Sequence, residues 1–316
     1  MLTRRLLLSG AIAVALALPA AAQDVLRVVT TTGMIADAAR QVGGDRVAVT
    51  ALMGPGVDPH GYRQTRSDIV AAASADLVLW NGLYLEAQLE SLLLELAETR
   101  PVVALAETIP AAQLIASPDY ADRFDPHVWM DPDLWAQVVL ATRDAMIAAD
   151  PAGADIYRAN TETHLAALSD LASYARMVLG SVPAASRVLV TAHDAFGYFG
   201  AAYGFEVVGI QGISTESEAG LQRIAALVEM LVARDIGAVF VESSVSDRNI
   251  RALIEGAAAQ GHAVVIGGEL FSDAMGAPGS YEGTYLGMID HNVTTIARAL
   301  GGQAPARGRM DALAMN

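Results

Sequence analysis

The sequence predicts an α/β fold of two similar lobes, each a mostly parallel sheet flanked by helices, joined by one long rigid spine helix. Three observations carry this expectation. From Leu26 onward, short β-branched runs alternate with amphipathic stretches of helical period. The runs fall into two sets separated in the chain. Between the sets lies one unusually long helical stretch.

The first set comprises "LRVVTTT", "RVAVTAL", "ADLVLWN" and "PVVALAE", with helices beginning near "GMIADAARQVGG" and "TRSDIVAAAS". The second comprises "RVLVTA", "FEVVGI", "AVFVESS" and "HAVVIGG", again separated by helical segments. In the connecting stretch, Asp150 can cap, Pro151 suits a first helical turn and Gly180 can end the helix. Its apolar residues are Ile156, Leu165, Leu168, Leu171, Tyr174 and Val178. An unbroken helix here would be about 40 Å long. The expected organisation is a first lobe over residues 23–149, the spine over 150–180 and a second lobe over 181–316.

Residues 1–22 have the form of a signal peptide: two arginines, an apolar run shorter than a membrane span, then Ala20-Ala21-Ala22. The mature chain is expected to start near Gln23. Arg4 and Arg5 partly match a twin-arginine signal, although ordinary secretion fits better. No cysteine is present, so neither a disulfide framework nor a lipid anchor on a cysteine is expected. These features predict a protein free in the periplasm.

Net charge narrows the ligand. The chain carries -15, and loss of Arg4 and Arg5 takes this to about -17, which disfavours nucleic acid and suits a cation. All 20 basic residues are arginine. That excludes a Schiff-base lysine, a Ser-Lys dyad and a P-loop ATPase.

Of six histidines, three occupy ordinary positions. His164 falls mid-spine among polar residues and is expected to be solvated, His262 sits at a helix-to-strand turn, and His291 lies in the last helix. The other three are at loop ends: His60 in "VDPHGYRQT", His127 in "DPHVWMDPDLW" and His193 in "VLVTAHDAF". Ligands of open α/β sheets collect beyond the carboxyl ends of strands, so these three can face one crevice. Pro59 and Pro126 restrict the backbone before two of them, and Asp131 with Pro132 can pin the loop of His127 by starting the next helix. Three neutral imidazoles suit zinc and tolerate manganese or iron, and one anionic ligand would complete the set. Asp194, Glu216, Glu242, Glu269 and Asp273 are the candidates. Asp194 adjoins His193 and is expected to point elsewhere. Glu242 and Asp273 follow strands, Asp273 in a loop free to approach the crevice and Glu242 able to accept a hydrogen bond from a ligand imidazole.

The ordered fragments "DPHGYRQT", "DPHVWMDP", "TAHDAFGYFGAAYGFEVVGIQGISTESEAG", "VFVESS" and "GGELFSDAMG" resemble the TroA-like or ZnuA-like family of periplasmic zinc/manganese solute-binding proteins of ABC importers. The resemblance covers essentially the whole mature chain. It implies two α/β lobes on a rigid helix and metal ligands at His60, His127, His193 and Asp273. It also implies delivery of Zn2+ or Mn2+, with Fe2+ a further option, to an ABC permease served by a separate ATPase, by a monomer that is not an enzyme. The His-rich loop of many zinc-dedicated members is missing from "AAQLIASPDYADRF", and many manganese-dedicated members have glutamate in place of His193. The ligand set therefore resembles the TroA-like subgroup, for which both metals are reported.

Two other functions compete. A metallohydrolase would need an open coordination position and a general base, and the chain has no H-E-x-x-H. On the same frame, an adhesin is disfavoured by the expected lack of a lipid anchor, and an organic-solute binder would need a larger cleft, which Tyr62, Trp129 and Phe196 could line.

Overall fold

The computed structural model describes residues 25–117 and 120–314; the expected signal peptide lies outside the described residues. All eight strand runs read from the sequence form strands. In the first lobe β1 (Leu26–Thr30), β2 (Val47–Ala51), β3 (Leu77–Trp80) and β4 (Val102–Ala104) make one parallel sheet in the order β2-β1-β3-β4. In the second, β5 (Val188–Thr191) pairs in parallel with β6 (Glu206–Gly209), and β7 (Ala238–Glu242) with β8 (Val265–Leu270). Since β5 also lies close to β7, the spatial order β6-β5-β7-β8 mirrors that of the first lobe. The side chains of β3 and β5 are buried throughout, as expected for strands covered on both faces.

The first lobe carries α1 (Gly33–Gly43), α2 (Arg66–Ser74), α3 (Glu90–Ala97) and α4 (Pro132–Ala149). Thr65 and Asp68 form a reciprocal capping box on α2, and Asp131 caps α4 with Pro132 in its first turn. After the spine, α5 (Ala154–Gly180), come α6 (Gly197–Tyr203), α7 (Leu221–Ala233), α8 (Arg248–Ala259) and α9 (Tyr285–Ala299).

The spine is 27 residues long, or about 40 Å. The expected start at Asp150 and Pro151 is corrected: Pro151–Gly153 is a separate 3-10 turn, and the helix begins at Ala154 without a side-chain cap. Arg46 donates two hydrogen bonds of 2.9 Å to Asp150, and Tyr157 donates a third at 2.6 Å, so the start of the spine is tied to the first sheet. The spine then packs on α1 and α4 and, further along, on α9. One apolar core runs from Leu26 through Trp135, Leu171 and Phe199 to Leu300, and each lobe adds a smaller cluster behind its sheet.

Two further expectations about the spine are corrected. His164 is buried, not solvated, and Ile156 is 45% exposed. The buried stripe runs Tyr157, Thr161, His164, Leu168, Leu171, Ala175, Val178, at steps of three and four. Its phase is set by packing against α1 and α9, and that phase places polar side chains inside at its first turns.

Candidate metal centre

His60 follows β2, His193 follows β5 and Asp273 follows β8, each within a few residues or one loop of a strand's carboxyl end. His127 precedes the 3-10 turn Val128–Met130, which Asp131 and α4 hold from the far side. Parallel strands in both lobes point these ends at the seam between them, which brings donors 213 positions apart in the chain into one cluster (273 less 60). One ligand atom from each of His60, His127, His193 and Asp273 lies within 4.8 Å of all the others, and all four residues are buried.

The closest approaches fit an ion-sized gap. His60 Nε2 is 3.2 Å from His127 Nε2, while Asp273 oxygens lie 3.2 Å from His193 Nε2, 3.4 Å from His127 Nε2 and 3.9 Å from His60 Nε2. Tetrahedral ligands at zinc bonding distance would be about 3.3 Å apart. His193 Nε2 and both Asp273 oxygens are buried yet make no hydrogen bond. A buried carboxylate without hydrogen bonds is costly unless a cation sits among its neighbours.

Two of the three rings are aimed by carboxylates. Glu242 Oε2 meets His193 Nδ1 at 2.5 Å while Oε1 accepts the His193 backbone N–H at 2.9 Å. Asp125 Oδ1 meets His127 Nδ1 at 2.7 Å and accepts the His127 backbone N–H at 2.9 Å. Both leave Nε2 turned toward the cluster. The hydrogen bond to Glu242 agrees with the sequence expectation. Asp125 was missed as a partner, although its place two residues before His127 is the signal: an aspartate reaches the N–H two residues on. Asp58 repeats this with His60, accepting its N–H at 2.9 Å.

A deeper support was not legible. Glu86 is fully buried and accepts hydrogen bonds from Thr31 Oγ1 (2.7 Å) and the backbone N–H groups of Asn81 (2.8 Å) and Gly82 (3.1 Å). Burial pushes its carboxyl up to about 7. Asn81 in turn donates to the Pro126 carbonyl at 3.1 Å, one residue before His127. Gly82, Leu83 and Tyr84 all have positive φ (80°, 53° and 70°), so Glu86 braces a strained turn beside the centre. Nothing in "NGLYLEAQLE" distinguishes Glu86 from a surface glutamate.

The remaining candidates are not part of the cluster. Glu216 is exposed and accepts from Gln88 at 2.8 Å, and Glu269 is exposed on β8. His262 Nε2 faces the Ile236 carbonyl at 2.8 Å and His291 Nε2 that of Glu269 at 2.9 Å. Trp129 is buried, its ring 5.2 Å from His127 and its N–H donating to the Ser272 carbonyl at 2.8 Å, so it packs the centre's wall. Phe196 is buried too, and Tyr62 turns its hydroxyl to Asp68 at 2.7 Å. The opening onto His60, between Tyr84 and Arg123 on one side and Ile213 and Glu216 on the other, holds about 50 Å³. Organic-ligand pockets are roughly 300–1,000 Å³.

Comparison with known proteins gives a consistent family. Residues 28–299 match the model of ZnuA, zinc-uptake complex component A, periplasmic. The manganese-binding lipoprotein MntA of Bacillus subtilis (strain 168) is 48% identical over 279 residues, 88% of this chain and 91% of MntA. The zinc-binding protein TroA of Treponema pallidum (strain Nichols) is 46% identical over 281 residues, 89% of this chain and 91% of TroA. The iron-binding protein YfeA of Yersinia pestis is 32% identical over 275 residues, 87% of this chain and 86% of YfeA. The solved structure of the periplasmic zinc-binding protein TroA superposes with a TM-score of 0.85, covering 87% of this chain and 99% of that one.

Proposed function

The chain belongs to the ZnuA family of periplasmic metal-uptake components, and from that premise we propose that it captures a divalent transition-metal ion, zinc or manganese, between two lobes for delivery to an ABC permease. The observation that carries this reading is the convergence of three imidazoles and one carboxylate, from both lobes, on a buried point. His60, His127, His193 and Asp273 are proposed as ligands, with Glu242 and Asp125 orienting two of them. The ion is cargo, and the protein acts as the solute-binding component of an importer rather than as an enzyme. Its partners are the membrane permease and the ATPase that drives it.

Relatives are named for manganese, zinc and iron, so the family does not select the metal. Three nitrogens and one oxygen favour zinc, and manganese and iron(II) remain accessible to the same set. We assign residues 23–149 and 181–316 to the two lobes and 150–180 to their rigid link. A spine packed along its length against both lobes favours small lobe displacements over wide closure. MntA is named a lipoprotein; this sequence has no cysteine to carry a lipid, and we propose a periplasmic protein without such an anchor.

Competition between zinc and manganese on the metal-stripped mature protein, alongside His193→Glu, tests the proposal. Stoichiometric binding with a zinc preference that the substitution erodes is expected; no stoichiometric binding of either metal would remove the reading.

A further inference from the structure

The three imidazoles are not supported alike. Asp125 stands two residues from His127, and Glu242 ends β7 in the same lobe as His193, so both of these supports lie within one lobe. Among the described residues no carboxylate lies within ion-pair distance of the His60 Nδ1; its only such partner is Asp273, at the Nε2 side. His60 is held through its backbone, by Asp58 Oδ1. The other oxygen, Asp58 Oδ2, accepts from Thr215 Oγ1 at 2.5 Å, and Thr215 belongs to the loop between β6 and α7 of the second lobe.

The chain of contacts Thr215–Asp58–His60 therefore crosses the seam between lobes through a carboxylate, whereas the Tyr198 hydroxyl of the second lobe reaches Asp125 at its backbone carbonyl (2.8 Å) and not at the carboxylate that holds His127. The same loop makes a second crossing, Glu216 to Gln88 at 2.8 Å, which touches no candidate ligand. Ile213, Ser214 and Glu216 also line the narrow opening onto His60.

We propose that Thr215 is a positioning residue for His60, gripping a first-lobe ligand from the second lobe so that lobe displacement loosens His60 before the other three donors. The inference rests on the metal-binding reading above. A lobe shift that parts Thr215 from Asp58 leaves Asp125–His127 and Glu242–His193 intact. The ion's departure then starts at His60, the one proposed ligand that lines the opening.

The test loads the full mature chain with cobalt(II) and follows its visible absorption as excess chelator removes the ion. Thr215→Val should release cobalt roughly three- to tenfold faster, the effect of one lost hydrogen bond. Thr215→Ser should restore the original rate, and Gln88→Ala, which cuts the other crossing, should change it by less than about twofold. Release from Thr215→Val at the unmutated rate, or equal acceleration by Thr215→Val and Gln88→Ala, would overturn the assignment while leaving the metal site standing. Failure of the unmutated chain to bind cobalt would overturn both.

Discussion

Glu242 grips His193 at both ends, its two oxygens 2.9 Å from the backbone nitrogen and 2.5 Å from Nδ1. The pair is fully buried, so the ring has one orientation and one nitrogen left for a metal. Glu242→Gln keeps a hydrogen-bonding oxygen but loses the charge, and Asp125→Asn does the same for His127. Each should weaken zinc binding about 10- to 100-fold, measured by chelator competition. An affinity equal to that of the unmutated protein in both variants would remove the orienting role.

Ligand removal should cost more. His60→Ala, His127→Ala and His193→Ala are each expected to lower affinity by orders of magnitude, while His262→Ala and His291→Ala, facing carbonyls far from the cluster, should not. His164→Ala should lower stability without touching affinity, because its ring is buried in the spine. Equal losses at all six positions would contradict the ligand set.

Protons compete with the metal. Burial works against charge on His127, but Asp125 and Asp273 outweigh it and hold the metal-free imidazole at about 9; Glu242 and Asp273 likewise overcome burial to raise His193. Both shifts favour the protonated ring in the metal-free centre, so binding should release protons and tighten as pH rises. Titration calorimetry in buffers of different ionisation heat counts them, and a heat independent of buffer would refute this.

Stability of the metal-free protein should respond oppositely. The His127 contribution is fully present below its unfolded value near 6.5 and is lost as pH rises through about 9. Burial pushes His60 down to about 3, so its neutral form is no burden above 6.5 but costs stability as pH falls from 6.5 toward 3. Urea midpoints of metal-free protein across pH 4–9 should therefore peak between the two windows, and zinc should shift the optimum upward in pH.

The phase of the spine can be checked by a pair of substitutions. Leu171 is fully buried and Ile156 is 45% exposed, although both are apolar positions of one helix. Leu171→Ala should cost about 2–5 kcal/mol and Ile156→Ala less than about 0.5 kcal/mol by urea denaturation. Comparable losses would mean that the helix is rotated about its axis.

Local chemistry made much of this protein legible from the chain alone. Strands such as "LVLW" and "VLVT" are buried at every position and apolar at all but Thr191 because a parallel sheet is covered on both faces, and Asp131-Pro132 starts α4 because both residues act on their own neighbourhood. His60, His193 and Asp273 come after strand ends, where side chains must emerge, and His127 lies in the loop that Asp131 and Pro132 end. What tertiary structure alone decided are relationships between positions remote in sequence. The burial of Glu86 under Thr31 depends on how the first lobe packs on itself, and the grip of Thr215 on Asp58 on how the two lobes dock. So does the inward turn of His164, since helix periodicity admits several phases and packing against α1 and α9 selects one.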